Sequence, residues 1–226
     1  MNAKLESPHV DRGKAEALAP FFVSRETSDR LTILVHELRR WQTIKNLVGP
    51  GTLDDIWTRH VADSLQLFRC APETRNWLDL GSGAGFPGVV LGILLREHGE
   101  GQIDLVESNG RKCAFLRHAI RATGASAKVH QGRIADILPM MKAGQIEVVT
   151  ARALAPLHDL LSMAKDLLRS GATGVFPKGQ DWEAELTEAR KYWRITVDVQ
   201  PSLIDSRGRI LVVRELQEVD GDHGRR

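Results

Sequence analysis

Cysteine is almost missing from this chain: among 226 residues only Cys70 and Cys113 occur, far apart and without a pairing pattern. That excludes a disulfide framework and a cysteine zinc site. Long apolar runs are missing too. The longest, Phe86 to Leu95, contains Pro87, Gly88 and Gly92 and is half of the ~20 residues a membrane span needs. The opening residues Met1-Asn2-Ala3-Lys4-Leu5-Glu6 lack the apolar stretch of a secretion signal, so the expected setting is cytoplasmic, with no membrane. The eight histidines are scattered without ligand spacing, so no metal is expected. A surplus of one charge is also lacking: 31 basic and 29 acidic residues leave +2, which neither demands nor excludes a nucleic-acid partner. Repeats and low-complexity stretches are absent. What remains, 42% apolar and 27% charged residues, is ordinary globular composition.

Two rhythms divide the chain near residues 70–76. Before the break the pattern is helical: Leu31, Leu34, Leu38 and Trp41 form one stripe of a helix that starts near Thr27 or Ser28. A second helix is expected from Thr52, where Thr52-Leu53-Asp54-Asp55 reads as a capping box, and carries Ile56, Ala62, Leu65 and Phe68. Asn46 to Gly51 is a turn between them. After the break, short apolar runs predict strands at Trp77–Leu80, Ile103–Val106, Ala127–His130, Ile146–Thr150, Gly174–Phe176, Ile195–Val199 and Ile210–Val213. Helices are expected at about Pro87–Glu97, Arg111–Thr123, Ile134–Leu138, Pro156–Leu168 and Trp182–Tyr192. Such alternation predicts an α/β fold with a mostly parallel sheet covered on both faces. Only Gln200 to Arg209 join the last two strands, too few for a parallel crossover, so the last strand is expected to be antiparallel. The expected layout is a helical extension over 1–75, a Rossmann-like domain over 76–217 and a tail over 218–226. Residues before about Arg25 and after about Gln217 are expected to be mobile.

The densest chemical signal is Asp79-Leu80-Gly81-Ser82-Gly83-Ala84-Gly85-Phe86-Pro87-Gly88. A strand enters a glycine turn, where positive φ and the lack of Cβ atoms let a ligand approach the backbone. Glu107 closes the next strand, 26 residues beyond Gly81, where a carboxylate can accept both hydroxyls of a ribose. Residues 83–88 also fit the dinucleotide pattern G-x-G-x-x-G, but Pro87 removes an N–H donor that a pyrophosphate would use. The whole segment is similar to motif I of class I S-adenosylmethionine methyltransferases. An NAD(P)-dependent oxidoreductase and a non-catalytic ribosome-associated RNA-binding module stand as alternatives.

Further motifs follow in order: Trp41-Gln42-Thr43-Ile44-Lys45-Asn46-Leu47, Arg59-His60-Val61-Ala62-Asp63-Ser64-Leu65, Val106-Glu107-Ser108, Gly132-Arg133, Thr150-Ala151-Arg152-Ala153 and Lys178-Gly179. Together with the glycine turn they resemble the RsmG (GidB) family over about residues 30 to 214. Two positions depart from it: Gln42 replaces the usual asparagine, and Ala135 stands where an acid is common. The resemblance implies a monomeric enzyme that moves a methyl group from S-adenosyl-L-methionine to N7 of a guanine in 16S rRNA or the small ribosomal subunit. It also implies cofactor contacts from Gly81, Gly83, Phe86, Glu107, Ile134, Ala135 and Arg152, with Ile134 and Ala135 flanking the adenine.

The residues themselves narrow the reaction. Enzymes that methylate exocyclic amines carry an Asn/Asp-Pro-Pro-aromatic loop after the fourth strand, and here that loop reads Thr150-Ala151-Arg152-Ala153. Methylation at carbon 5 needs a placed thiolate, and neither cysteine falls at a suitable position. Guanine N7 offers its own lone pair and needs no base, so no catalytic side chain is assigned. Arg152 and His60 are the two candidates. The plain alternative for Arg152 is a surface pair with an acid such as Asp159; for His60 it is a structural hydrogen bond beside Asp63. RNA contacts are expected from Arg59, Lys178, Arg207 and Arg209, with Arg39, Arg40, Lys45, Arg111 and Lys112 as further basic positions. Trp41 is expected in the core, and Trp57 and Trp182 are candidates for base stacking.

Overall fold

The computed structural model describes residues 13–43, 47, 53–99, 101–142 and 144–219. Chain order is α1 (Lys14–Leu18), α2 (Arg25–Gln42), a π-helical turn (Trp57–Ala62) running into α3 (Asp63–Phe68), β1 (Asn76–Leu80), α4 (Gly88–Glu97), β2 (Gln102–Glu107), α5 (Gly110–Thr123) and β3 (Ala127–Gln131). It continues with α6 (Ile134–Ile137), β4 (Val148–Thr150), α7 (Leu157–Arg169), β5 (Thr173–Lys178), α8 (Trp182–Ala189), β6 (Trp193–Pro201) and β7 (Arg209–Glu218).

The seven strands lie in the order β3-β2-β1-β4-β5-β7-β6. All neighbours are parallel except β7, which runs antiparallel to both β5 and β6. Successive residues along each inner strand serve opposite faces. Trp77, Ile103, Val148, Val175 and Val212 join the core under α2–α5, while Leu78, Val106, Val149, Phe176 and Leu211 join the one under α7 and α8. Each such side chain, fully buried, contributes ~1.5–3 kcal/mol, so both faces of the sheet are firmly covered.

The first expected helix forms over Arg25–Gln42, slightly earlier than its stripe suggested, because Ser24 caps it: its Oγ accepts the Thr27 N–H at 3.1 Å. Its stripe of Leu31, Leu34, Val35 and Leu38 is buried, as are Ile56, Ala62, Leu65 and Phe68 of the second helical segment. That segment begins after a turn at 53–55; the expected cap Thr52, the turn from Asn46 to Gly51 (Leu47 apart) and Lys45 lie outside the described residues. The expectation of mobility before about Arg25 is corrected for residues 13–24; residues 1–12 lie outside the described residues. Lys14–Leu18 is helical, Ala17 and Leu18 are buried, and Lys14 Nζ donates to Thr32 Oγ1 at 2.6 Å. At the other end β7 extends through Glu218, and the Val219 N–H donates to the Tyr192 carbonyl at 3.0 Å; the rest of the expected tail, 220–226, lies outside the described residues.

The topology fixes where a ligand goes. From β1 the chain travels outward to β2 and β3, then returns to place β4 on the other side of β1. The carboxyl ends of β1 and β4 therefore flank a switch point, the ligand crevice of open α/β sheets. Leu80 pairs with Val106 and Asp79 with Thr150, so the glycine turn, Glu107 and Arg152 all emerge at one rim.

Candidate active site

The glycine turn is held by the strand beside it. The N–H groups of Gly81 and Ser82 donate to the Val106 carbonyl at 2.9 and 3.1 Å, and Gly85 closes back on Ser82 at 2.8 Å. Gly81, Gly83 and Gly85 take φ values of 70°, 57° and 92°, a region where a Cβ is strained. The three glycines differ in what a side chain would meet. A Cβ at Gly85 would lie 2.8 Å from Val89 Cγ2, whereas one at Gly83 would meet nothing nearer than the Gly81 carbonyl oxygen at 3.8 Å. Gly83 thus faces open space at the centre of the turn.

Glu107 is buried and ties this turn to the next rim loop. One carboxylate oxygen accepts the Gly83 N–H at 2.9 Å and the other accepts the Asn109 N–H at 2.8 Å. Each oxygen keeps further acceptor capacity, which two vicinal hydroxyls could use. The Glu107 carbonyl accepts the Gly132 N–H at 3.0 Å, bringing the half-buried Ile134 and the exposed Ala135 to the same side of the rim. These groups offer what a nucleoside with a small zwitterionic tail requires: bare backbone, paired acceptors and an apolar flank. A dinucleotide fits less well. Pro87 precedes the helix, and the first helical N–H, from Gly88, donates to Asp79 Oδ2 at 3.1 Å. An acid therefore occupies the helix start where a phosphate would bind. Asp79 is fully buried, and burial pushes its carboxyl up to about 7.

On the other side of the switch point lies a cavity of about 1080 Å³, lined by the π-helical turn, the 152–156 loop, the end of β5 and the 202–209 loop. Arg59, His60, Arg152, Lys178, Arg207 and Arg209 all border it. The structure thus gathers into one cavity the basic residues expected to meet RNA, and places Gly81, Gly83, Glu107, Ile134 and Ala135 outside its lining. Three contacts join the two halves. Leu154 packs so closely on Gly81 that a Cβ there would lie 2.7 Å from its Cδ1, and Phe86, ending the glycine turn, has the His60 ring at 5.0 Å and the Arg152 guanidinium at 5.7 Å.

Several side chains do other work than their sequence position suggested. Arg152 does not pair with Asp159; it donates to Asp63 Oδ2 at 3.2 Å, to the Arg59 carbonyl at 2.9 Å and to His60 Nδ1 at 2.6 Å. Lys178, expected at RNA, is only 8% exposed, with its ammonium 2.7 Å from Glu185 Oε2 and bonded to the Ala155 carbonyl at 2.9 Å. The same Glu185 oxygen accepts the Leu157 N–H at 2.7 Å, so Lys178 pins the loop that carries Arg152. Arg209 bonds the carbonyls of Ser206 and Gly208 and lies over Trp182, whereas Arg207 is 71% exposed and reaches Gln180. Trp57 is 2% exposed and unavailable for stacking on a base. Arg39 donates to the Leu53 carbonyl, Arg40 is an exposed partner of Glu37, and Arg111 and Lys112 sit at the first turn of α5, beside Asn109. The cysteines are buried, and burial raises both thiols, Cys70 to about 11. A thiolate nucleophile is thereby disfavoured. Sequence reasoning missed Asp63 and Glu185 as anchors; the Arg59-His60-x-x-Asp63 spacing was the available signal, while Glu185 gave none. Among the described residues no cluster could hold a metal ion, and no helix is long and apolar enough to cross a membrane.

The sheet with its single reversed strand and the glycine turn at its switch point define a protein with the fold of class I methyltransferases. Among solved structures, the SAH-bound Podospora anserina methyltransferase PaMTH1 aligns with a TM-score of 0.62 over 95% of this chain and 99% of that one at 13% identity. An O-methyltransferase from Bacillus cereus in complex with SAH gives 0.58 over 90% and 97%, also at 13% identity. At such identity these matches speak for the fold alone. The sequence goes further: residues 27–212 match the family model described as rRNA small subunit methyltransferase G. The chain is 53% identical over 206 residues to ribosomal RNA small subunit methyltransferase G of Methylobacterium radiotolerans, covering 91% of this chain and 96% of that protein. It is 49% identical to the enzyme of the same name from Rhodopseudomonas palustris, covering 94% and 91%. The chain belongs to this rRNA methyltransferase family.

Proposed function

We propose that the protein transfers the methyl group of S-adenosylmethionine to N7 of guanine 527 in 16S rRNA. When bound, the cofactor supplies a methyl group on a sulfonium, so the carbon–sulfur electron pair stays with sulfur as the new carbon–nitrogen bond forms. N7 contributes its own lone pair and loses no proton, so the site needs positioning rather than a base. Gly81, Gly83 and Phe86 line the donor, Glu107 accepts its ribose hydroxyls, Ile134 and Ala135 flank its adenine, and Arg152 contacts it from the β4 side. Arg59, Arg207 and Arg209 face the RNA around the cavity that receives the target base. Lys178 holds the 152–156 loop in place. The protein acts as a cytoplasmic monomer, its 13–75 helices and its sheet serving as one working unit.

The observation that carries this reading is the junction at Phe86, Leu154 and Arg152, where a backbone cradle adjoins an arginine-lined cavity with room for a base and its flanking nucleotides. The test is transfer of labelled methyl to small-subunit rRNA followed by nucleoside analysis. Label in 7-methylguanosine is the expected result, and label confined to 6-methyladenosine or 5-methylcytidine would refute it.

A further inference from the structure

The Arg59-His60-x-x-Asp63 motif has a geometry that reveals its purpose. Arg152 comes from the end of β4, and three groups of one helical segment receive its guanidinium: the Arg59 carbonyl, His60 Nδ1 and Asp63 Oδ2, at 2.9, 2.6 and 3.2 Å. A guanidinium can only donate. His60 Nδ1 therefore presents a lone pair, and the ring proton sits on Nε2. Nε2 is buried and has no hydrogen-bond partner among the described residues. Both nitrogens are thus unavailable as bases: one lone pair is taken by Arg152, and the other nitrogen carries a proton.

The charged groups facing the ring are Arg152 from the β4 loop and Arg59 from its own segment, with Asp63 closing on the same guanidinium. Phe86, packed on the ring from the glycine turn, is uncharged. Burial, then Arg152, then Arg59 lower the imidazole to about 4, so it stays neutral throughout the physiological range. Protonating Nδ1 would set an N–H against the guanidinium N–H and break the clamp.

We propose that His60 is a positioning residue: its Nδ1 lone pair fixes the Arg152 guanidinium against Phe86, so that the remaining N–H groups of Arg152 are aimed at the methyl donor. The proposal rests on the reading of Arg152 as a donor contact. It gives the histidine an acceptor's role and takes from it that of general base. It also explains why one helical turn carries a carbonyl, an imidazole and a carboxylate toward one arginine. A guanidinium on a long side chain is mobile unless several acceptors hold it, and its value to a ligand depends on that preorganisation.

The test compares His60→Asn, whose side-chain oxygen can accept near the place of Nδ1, with His60→Leu, which fills similar space and accepts nothing. S-adenosylhomocysteine binding by calorimetry, thermal melting and the pH profile of methyl transfer are measured for both, and Arg152→Met serves as reference. Losing a hydrogen bond to a charged group weakens binding about 10-fold or more. His60→Leu should show that loss, His60→Asn should stay within about 3-fold of the parent, and adding Arg152→Met to His60→Leu should cost little more. Parental methyl transfer should be level from pH 5.5 to 8.5. A tenfold fall per pH unit below about 6.5 would make the imidazole a base and overturn the proposal. So would equal binding losses in the two folded histidine variants. If Arg152→Met alone leaves S-adenosylhomocysteine binding intact, the donor reading of Arg152 itself is wrong; if it weakens binding and His60→Leu does not, only the positioning role fails.

Discussion

Replacing Gly83 with asparagine should separate ligand binding from folding. The residue sits at φ 57°, where most side chains cost ~1–2 kcal/mol but asparagine is tolerated. A Cβ there meets nothing closer than the Gly81 carbonyl oxygen at 3.8 Å, so no packing penalty adds to the backbone term. The expected loss of stability is below about 1 kcal/mol, which for a chain of this length lowers Tm by roughly 2–4 °C. The side chain nevertheless projects into the space assigned to the donor, and S-adenosylhomocysteine should bind at least ~10-fold more weakly, a loss of about 1.4 kcal/mol. Gly88→Ala gives the contrast: its Cβ would lie 2.3 Å from Leu105 Cδ2 and 2.5 Å from Asp79 Oδ2, so it should unfold the protein at markedly lower temperature. Calorimetry and thermal melting on both variants decide the matter. Parental affinity in a folded Gly83→Asn protein would refute the cradle.

Three further outcomes follow from the geometry. Asp79 holds its proton to about pH 7 in the fold against an ordinary value of 3.8. The native state therefore binds more protons than the unfolded chain between those values, and stability falls as pH rises through that window. Thermal melting should show the parent losing ground to Asp79→Asn between pH 5 and 7; parallel curves would contradict the assignment. Lys178→Met should slow methyl transfer and lower Tm while leaving the salt dependence of RNA binding unchanged. A drop of about one in the log–log slope would instead make Lys178 a phosphate ligand. Arg207→Glu, at an exposed position whose side-chain partners are Gln180 and the flanking Asp205, should weaken RNA binding and reduce that slope, with S-adenosylhomocysteine affinity unaltered by calorimetry.

The sheet was largely legible because its strands are short apolar runs between helical stripes, and the short link before the last strand, seven residues from Ser202 to Gly208, forced an antiparallel return. Less evident was that β7 inserts between β5 and β6. The signal was present: Ile210 to Val213 is apolar without interruption, as an inner strand must be, whereas Ile195, Val197 and Val199 alternate, as at a half-exposed edge. The glycine turn and Glu107 were readable because backbone conformation and strand order suffice to place them. The partners of Arg152 and Lys178 were not, because they depend on how the π-helical turn and α8 pack across the rim. Asp63 lies 89 residues from Arg152 in sequence, and no local pattern links them. Lys178 shows the cost of reading charge alone: a basic residue at a strand end suggested RNA, and burial against Glu185 gave it a structural partner instead.

The most direct measurement is a crystal structure with S-adenosylhomocysteine bound. The account predicts the ribose hydroxyls on Glu107, the adenine against Ile134 and Ala135, and the sulfur directed past Phe86 toward the cavity bordered by Arg59 and Arg207. A ligand seated inside that cavity, with the turn at residues 81–85 untouched, would contradict it.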